Sequence, residues 1–411
     1  SGAIGGVVAF ELLDADDILM PGEYAAIRTR TRYATNGNGK LGSATGAVRV
    51  GNFNILGQLN GRWSDDYKDG GGNLIENSGD TTGSALLKAN WEFAPGHKLT
   101  GTFVNYNSDF IDKVYGGGRE LHWDSEVHNE QYTLAYAFSR PDTPLFDFSS
   151  RVYKNRTSID QTRLTGDPYA RSFDVDTEGF DIINTSRFEF EHTKFALTYG
   201  ADGFEDRVSN FAPVPDTAIS ATPSGRRTVF GAFLQGKATF FDTVDIIAAL
   251  RYDQYDLKGG EASLDGSRIS PKITAGVTPI TGVTFFATYA EGYRAPSITE
   301  TLVHGTHQGF SFEPNPFLKP EVAHNIEGGV NFVFDQVFSE KDAIRAKIIA
   351  FHNKVDDYID GVYVGQFQNI KYQYQNIARA AIEGIELEAI YDARSWFLGI
   401  GGHRIRGENA D

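Results

Sequence analysis

The stretch Val244–Tyr252 reads VDIIAALRY, and apolar side chains stand at every second position along it. The apolar set is Val244, Ile246, Ala248, Leu250 and Tyr252. Asp245 and Arg251 are among the residues between them. A period of two with one apolar face is the pattern of a half-buried β-strand. Charged residues on the second face indicate that this face meets water.

The same alternation recurs along the chain, most clearly at Asn325–Phe334 and Ala343–Asn353. Turn signals continue steadily to the end, which favours one large all-β unit. Such segments number about seventeen, at the length expected of tilted strands that cross a membrane. We predict that these strands begin near Ala25, Gly42, Phe53, Ser84, Leu99, Glu130, Phe146, Gly179, Lys194, Thr228, Val244, Ser270, Val283, Asn325, Asp342, Ala380 and Trp396.

The predicted connections between strands alternate in length. The short ones are Ala94–His97, Pro141–Pro144, Glu191–Lys194 and Thr278–Gly282. The long polar ones are Asp66–Thr82, Ile111–Asn129, Ser158–Glu178, Asp206–Arg226 and Tyr293–His324. Short turns on one rim and long extracellular loops on the other are typical of an outer-membrane barrel, and a soluble sandwich or solenoid has no reason to sort its connections so. The sequence therefore predicts an all-β, transmembrane antiparallel β-barrel.

Composition excludes several classes of protein. The chain has 411 residues, no cysteine and a formal net charge of −16. No apolar run approaches ~18 residues, so a membrane-spanning helix is excluded, and the lack of cysteine excludes disulfides and thiolate metal sites. Nucleic acid is not an expected partner, because a phosphate-binding surface needs clustered lysine and arginine. Without a G-x-S-x-G, H-E-x-x-H or P-loop motif, we predict no enzyme and no catalytic cofactor.

The chain opens with the glycine-rich strand Ser1–Glu11, SGAIGGVVAFE. An acidic run, Asp14-Ala15-Asp16-Asp17, and Pro21 follow it. A dinucleotide-binding loop would need a helix after its glycines, which the linker and Pro21 disfavour. The acidic run could bind a cation, but a solvated linker is the favoured interpretation.

The connection that begins at Tyr293 carries two histidines three residues apart, His304 and His307. Two short motifs frame them, consisting of Tyr293, Arg294, Ala295 and Pro296 before and Asn315, Pro316, Phe317 and Leu318 after. Imidazole is a suitable axial ligand for haem iron. The frame resembles the FRAP and NPNL motifs that bracket a haem-ligand histidine in TonB-dependent haem receptors of the bacterial outer membrane. Tyr293 replaces the Phe of that pattern, and Phe317 replaces an Asn.

The resemblance extends along the whole chain. Ser1–Glu11 resembles the glycine-rich strand that ends the plug domain of these receptors, so residues 1–22 are expected to end a plug and 23–411 to form a partial barrel. Bacterial barrels have even strand numbers, and the resemblance implies about 22 strands, of which about seventeen are present. Strands beyond the C-terminal end and most of the plug are then expected outside this sequence. The loop Tyr293–Pro320 is the seventh long loop, which carries a haem-coordinating histidine in haem receptors of this class. The run Thr299–Leu302, followed by Gly305, Thr306 and His307, resembles most the receptors that accept haem from a haemophore.

The resemblance implies roles for the loop residues. His307 is the first candidate for the axial ligand and His304 the second, with a further ligand expected from the plug apex. The two would lie one helical turn apart if the loop is helical, and they could instead chelate a divalent metal, although no nearby carboxylate completes that site. Arg294 could pair with a haem propionate or a plug carboxylate, or join a salt-bridge network of the lumen. Phe310 and Phe312 could stack on porphyrin or on a carrier protein, or pack within the loop.

Other residues have lesser expected roles. Pro296 fixes the backbone where the loop begins, and the prolines after Asn315 and Lys319 restrict its return. His122 and His128, near Trp123, could touch ligand but are more often solvated in such loops. His324 and His352 do not look like ligands.

The function implied by the resemblance is a receptor in the outer membrane of a Gram-negative bacterium. It would bind haem, free or carried by a haemophore or haemoglobin, at extracellular loops and import it into the periplasm. The energy would come from the TonB complex, and outer-membrane lipid would surround the barrel. Two alternatives remain, a receptor for a ferric siderophore or other iron carrier, and a passive porin without a plug.

Overall fold

The computed structural model describes residues 4, 11–116, 119–166, 170–211, 223–307, 310–365 and 371–409, and only the backbone of residues 114–116, 119, 306, 307, 310 and 378. Within these residues the structure is almost entirely β, with nineteen strands and one short α-helix, α1, at Ile298–Leu302. Short 3-10 turns lie at Ala15–Asp17 and Asn36–Asn38. No helix in the described part of the chain is long and apolar enough to cross a membrane.

Seventeen of the nineteen described strands are ten residues or longer, and two are shorter. The long strands are β1 Ala25–Ala34, β2 Gly39–Val50, β3 Phe53–Ser64, β4 Asp80–Ala94, β5 His97–Gly116, β6 Arg119–Ser139, β7 Asp147–Arg163, β8 Ala170–Phe190, β9 Thr193–Phe211, β10 Gly225–Phe240, β11 Val244–Gly259, β12 Ala262–Ile280, β13 Val283–Arg294, β16 Glu321–Asp335, β17 Ala343–Val364, β18 Lys371–Asp392 and β19 Phe397–Asn409. The short strands are β14 Gly305–His307 and β15 Phe310–Glu313.

Each long strand pairs antiparallel with the next long strand along the chain, from β1 through to β19. Between β13 and β16 the chain makes the small hairpin β14–β15. Strand β15 also pairs with β18, and this ladder is parallel. The predicted all-β antiparallel architecture is confirmed, and its seventeen predicted strands correspond one to one with the seventeen long ones.

The strand starts were predicted less well than the strands themselves. Four strands begin eight or more residues earlier than predicted, at Arg119, Ala170, Ala262 and Lys371. The predicted long loops Ile111–Asn129 and Ser158–Glu178 are wrong for the most part, since ladders occupy most of each. The predicted loop Asp206–Arg226 is shortened at its two ends, because β9 continues to Phe211 and β10 begins at Gly225. In these extensions the outer face is largely polar and the apolar or aromatic residues, such as Trp123 and Tyr372, lie on the inner face, so an apolar outer face does not mark the strands there.

The connections confirm that the two rims differ. On one, the short-turn rim, two residues join β4 to β5 and two join β8 to β9, as predicted. On the other, the long-loop rim, residues 65–79 join β3 to β4 and residues 295–320 join β13 to β16. Counted from β1, the connection 295–320 is the seventh on its rim, and we call it loop 7.

One face of the sheet exposes apolar side chains across nearly its whole width. The ladder registers place the following exposed residues on that face, which we call the outer face: Ile27, Val48, Leu59, Leu87, Leu134, Val152, Ile182, Tyr199, Leu234, Leu250, Ile273, Phe285, Ile326, Ile348, Leu387 and Ile400. A continuous apolar surface of this extent does not occur on soluble monomers. It is the surface that a transmembrane barrel presents to lipid.

Exposed aromatic side chains collect at the short-turn rim. They are Trp91, Phe93, Phe190, Phe241, Phe338, Trp396 and Phe397. Several make contact across strands, as where the rings of Phe93 and Tyr136 stack with centroids 6.4 Å apart. Aromatic girdles mark the levels at which a barrel meets the membrane–water interface. The rim with short turns therefore has the side chains of an interface.

Two buried apolar clusters lie on the opposite, inner face. One joins α1 of loop 7 to the wall, and its buried members are Val229, Tyr255, Leu257, Leu264, Ile298, Leu302, Leu318 and Ile359. The other joins the segment before β1 to strands β2–β4, and its members are Ala15, Leu19, Ala47, Leu56 and Leu86. The helix of loop 7 and the segment before β1 therefore both pack against the inner face.

The acidic run before β1 binds the wall. The Asp14 carboxylate lies 2.9 Å from Lys88 Nζ and accepts a hydrogen bond of 3.0 Å from the Asn90 amide. Asp16 pairs with Arg49. Burial alone would raise the pKa of Asp14, but Lys88 and Asn90 outweigh it and the pKa is lowered. Asp14 is therefore attached to the inner face, whereas Asp16 and Asp17 remain exposed, so only part of the run is solvated as expected.

Candidate functional site

Loop 7 begins with a short capped helix. Ser297 Oγ accepts a hydrogen bond from the Glu300 amide at 3.2 Å, and a Glu300 oxygen accepts one from the Ser297 amide at 2.8 Å. This reciprocal capping box satisfies backbone donors that a helix start otherwise leaves unpaired. Ile298 and Leu302 are then buried against the inner face. The sequence S-I-T-E-T-L thus specifies both the start of α1 and the side that it buries.

Glycines in the wall make room for α1. A Cβ atom at Gly259 would stand 2.2 Å from a Leu302 side-chain carbon, and one at Gly225 would stand 2.9 Å from the same carbon. Both glycines lie at the long-loop rim, at the end of β11 and the start of β10. A larger residue at either position would force the helix away from the wall. The close approach of loop 7 therefore depends on these glycines.

Arg294 ties both ends of loop 7 together. Its two terminal nitrogens each lie 3.0 Å from an oxygen of Glu300, and its Nε binds Glu321. Glu321 is fully buried, and its other oxygen accepts a hydrogen bond of 2.7 Å from the Ile359 amide. Burial would raise the pKa of Glu300, but the hydrogen bonds from Arg294 and Ser297 outweigh it, so that pKa is lowered.

The network agrees with one of the roles expected for Arg294, that of a member of a salt-bridge network. All three of its guanidinium nitrogens bind carboxylates of the loop and the adjoining strand. Pro296 is fully buried beside it, and its carbonyl lies 3.5 Å from Arg227 Nη1. Tyr293 and Ala295 pack against the inner apolar cluster.

The second half of loop 7 is bound along strand β18. Ser311, Phe312 and Glu313 pair in parallel with Lys371, Tyr372 and Gln373. Farther on, the Asn315 amide donates to the Tyr374 carbonyl at 2.8 Å. Asn376 then holds Lys319 on both sides, since its oxygen accepts from the Lys319 amide at 2.8 Å and its nitrogen donates to the Lys319 carbonyl at 2.9 Å.

The second framing motif lies in this bound stretch. Leu318 is buried in the apolar cluster, and Pro316 lines a cavity beside His304. Phe317, by contrast, is 86% exposed. The motif therefore fixes the return of the loop and presents one aromatic ring to solvent.

His304 is exposed and lies just after α1. Its Nδ1 is 3.0 Å from the Leu302 carbonyl. A carbonyl only accepts hydrogen bonds, so in the neutral ring Nδ1 carries the proton and Nε2 keeps its lone pair. Metal-binding histidines commonly have this arrangement. His304 also lines a cavity of about 380 Å³ whose other walls are Pro223, Ser224, Gly259, Gly260, Glu261, Ala262, Leu302, Pro314 and Pro316.

His307 lies in β14, where its backbone pairs with that of Phe310. Its side chain, like that of Phe310, lies outside the described part of the chain. The expected helical spacing of the two histidines is wrong, because α1 ends at Leu302 and the backbone at 305–307 is a strand. Chelation of one divalent metal by the pair stays a prediction, without the helical spacing first considered for it.

Phe312 packs inside the loop-and-wall unit. Its ring lies edge-on to Tyr372, with centroids 5.1 Å apart. Tyr372 in turn contacts Tyr363 and Tyr374, at 5.6 and 5.8 Å. The sequence alone gives no sign that these tyrosines meet loop 7, because nothing in it shows which strand the return of the loop contacts. They are functional candidates that only the fold brings to the loop.

The other histidines have protein partners. His122 lies 3.1 Å from Glu120 and 3.2 Å from the Asn77 amide, and His128 lies 2.6 Å from the Asn107 oxygen. His324 lies 3.4 Å from Asp356, and His352 is on the outer face, 3.5 Å from Glu383. Among the described side chains, no group of three or more His, Asp or Glu is arranged to hold a metal ion.

Known proteins resemble this chain along nearly its whole length. A hemin receptor of Yersinia enterocolitica is 26% identical over 100% of this chain and 62% of its own length. The heme/hemopexin utilization protein C of Haemophilus influenzae strain 86-028NP is 26% identical over 95% of the chain and 63% of its own. The chain thus spans a little over three fifths of these curated relatives.

Solved structures share the fold. The Serratia marcescens hemophore receptor HasR, solved as a double mutant with its hemophore HasA and heme, has a TM-score of 0.87 at 23% identity, over 97% of this chain and 65% of its own. The copper transporter OprC has a TM-score of 0.76 at 18% identity, over 94% and 61%. Residues 65–406 match the family described as TonB dependent receptor-like, beta-barrel. The chain therefore belongs to the β-barrel family of TonB-dependent receptors.

Proposed function

We propose that this chain is the greater part of an outer-membrane receptor that binds haem at its long-loop rim and imports it. The observation that carries the proposal is the histidine-bearing hairpin of loop 7, anchored on both sides to the barrel wall. His304 is held there with its Nδ1 on the Leu302 carbonyl, and the residue lines a cavity. The names of the curated relatives, a hemin receptor and a heme/hemopexin utilization protein, support the same cargo.

A histidine of loop 7 provides the axial bond to haem iron in this proposal. The framing motifs favour His307, and the orientation of the ring favours His304. The rest of loop 7 positions that histidine. Arg294 and its two carboxylates hold the start of the loop, and β18 holds its return.

The remaining parts of the proposal concern place and partners. The apolar outer face and the aromatic girdle support a position in the outer membrane of a Gram-negative bacterium, surrounded by lipid. We propose that residues 1–22 end a plug and that 23–411 form barrel wall; the hydrogen bond of 2.9 Å from Asn353 to the Ile4 carbonyl supports a position inside the bore. The family consists of transport receptors, so we propose transport driven by the TonB complex and no catalysis.

The source of the haem is part of the proposal as well. A haemophore is favoured over haemoglobin, because a hemophore receptor is among the structures that share this fold. Fold likeness alone does not choose the cargo, since a copper transporter shares it too. The carrier would dock on the long-loop rim, where Phe317 is presented to solvent.

A haem titration of the full-length receptor tests the proposal. The variants are His304→Ala, His307→Ala and the double variant, with His192→Ala on the short-turn rim as the matched control. We expect one single variant and the double variant to weaken haem binding tenfold or more and to shift the Soret band. An unchanged spectrum and affinity in the double variant would remove loop 7 from the site. A receptor that binds a ferric siderophore but no haem would favour the alternative cargo.

A further inference from the structure

We propose that Phe312, Tyr363 and Tyr372 form an aromatic wall that binds the flat face of the porphyrin ring, separately from the bond between histidine and iron. The inference rests on the proposed haem-receptor function and adds to it a surface for the organic part of the ligand. Three elements contribute to it, since the residues lie on β15, β17 and β18.

The three rings form one continuous cluster. Tyr363 and Tyr372 are opposite each other in the β17–β18 ladder, with centroids 5.6 Å apart and planes at 79°. Phe312 reaches Tyr372 from the hairpin of loop 7, at 5.1 Å and 60°. Gly361 leaves room for this arrangement, because a Cβ atom there would stand 1.7 Å from the Tyr372 hydroxyl. The Tyr372 ring therefore lies close against the strand.

The cluster faces the interior of the mouth. By register, Tyr363 and Tyr372 share the inner face with Ile359 and Tyr374, both of which belong to the apolar cluster around α1. Tyr363 is nevertheless 64% exposed. Because it is on the inner face, lipid contact does not explain this exposure. A large aromatic ring kept in water at the mouth of a barrel is a typical part of a ligand site.

The wall is next to the histidine hairpin. Phe312 pairs with Gly305, the residue after His304. Residues opposite each other in an antiparallel pair are about 5 Å apart, so the hairpin backbone and the aromatic wall are in direct contact. Aromatic systems bind one another in offset-stacked or edge-to-face arrangements. A planar macrocycle that reaches a histidine of this hairpin can therefore lie against these rings.

The test measures binding of two probes to the full-length receptor, haem and metal-free protoporphyrin IX. The metal-free ring has no iron for a histidine to coordinate, so its affinity reports the surface that holds the ring. Tyr363→Ala removes the most exposed ring, and Tyr363→Phe keeps it. Tyr67→Ala, in another loop of the long-loop rim, is the matched control because Tyr67 is also exposed.

We expect Tyr363→Ala to weaken metal-free porphyrin binding by roughly two- to tenfold, the effect of one aromatic contact. Tyr363→Phe and Tyr67→Ala should bind as the parent does, and the Soret position of bound haem should not move in any of the three. If the parent binds haem but not the metal-free ring, the aromatic wall is overturned and the haem-receptor function stands. Equal affinities of Tyr363→Ala and Tyr67→Ala for the metal-free ring would also overturn the aromatic wall. A parent that binds neither probe would overturn the proposed function, and the wall with it.

Discussion

Replacing Arg294 with methionine should release loop 7 from the barrel wall. The substitution keeps the length and apolar stem of the side chain but removes its charge. Glu321 would then remain fully buried with a single hydrogen bond, from the Ile359 amide. Glu300 would lose both of its contacts with the guanidinium. A buried carboxylate without its counter-charge is the most unfavourable element of the variant.

The magnitude follows from the burial of the partners. Breaking a buried ion pair from one side costs about 3–5 kcal/mol, and the Arg294 side chain is 25% exposed. We therefore expect the free energy of opening loop 7 to fall by about 3 kcal/mol, the lower end of this range. At 1.4 kcal/mol per factor of ten, the open form of loop 7 becomes roughly a hundredfold more populated. The barrel strands make their own ladders, so the effect should stay within the loop.

Hydrogen–deuterium exchange of residues 295–320 measures this population. Arg140→Met is the control, since Arg140 and Asp142 form an exposed pair on the short-turn rim, worth about 1 kcal/mol or less. Adding Glu321→Gln to Arg294→Met removes the buried carboxylate that has lost its counter-charge. Exchange in loop 7 should then return to within about tenfold of the parent. The reasoning is refuted if Arg294→Met exchanges in loop 7 no faster than Arg140→Met.

Three further changes test other parts of the structure. Because the pKa of Glu300 is lowered in the folded loop, its stabilising contribution is complete above the usual value of 4.5 and is lost as the pH falls below it. Exchange in loop 7, corrected for the chemical effect of pH, should therefore rise only in that acidic range, and a rise near neutral pH would contradict the assignment. Gly259→Val should displace α1, since a Cβ atom there would stand 2.2 Å from a side chain of the helix. We expect loop opening to become easier by about 1–3 kcal/mol, and Gly101→Val, at a position with open space around it, should show no change in the same exchange measurement. Leu134→Arg on the outer face should lower the folded fraction in lipid vesicles by about 2–4 kcal/mol. Thr133→Arg, on the inner face, should be tolerated, and equal losses in the two variants would argue against a lipid-facing surface.

The long strands of the barrel could be predicted from the sequence because the alternation of apolar and polar residues repeats along them. Wherever a strand has lipid on one side and water on the other, its residues alternate, as at Leu250 and Arg251. The signal ends where the outer face becomes polar. The start of β6 at Arg119 was missed for this reason, although its ladder with β5 is continuous.

The site could be predicted only as far as local sequence extends. Ser297 and Glu300 form a capping pattern that is visible in the sequence, and α1 follows from it. The partner of Arg294, Glu321, is 27 residues away. Nothing in the sequence selects Glu321 from the other acidic residues, because the choice depends on which strand ends meet at the rim. The same limit applies to Tyr372, which the ladder between β15 and β18 brings to loop 7.

The double attachment of loop 7 has a mechanical consequence. Its helix packs against β10 and β11, and its return pairs with β18, so loop 7 is attached to the barrel wall at two separate places. The attachment at the helix consists of buried apolar side chains and buried charge, whereas the attachment at β18 consists of a short ladder and half-exposed amide hydrogen bonds. The attachment at β18 is therefore the weaker of the two.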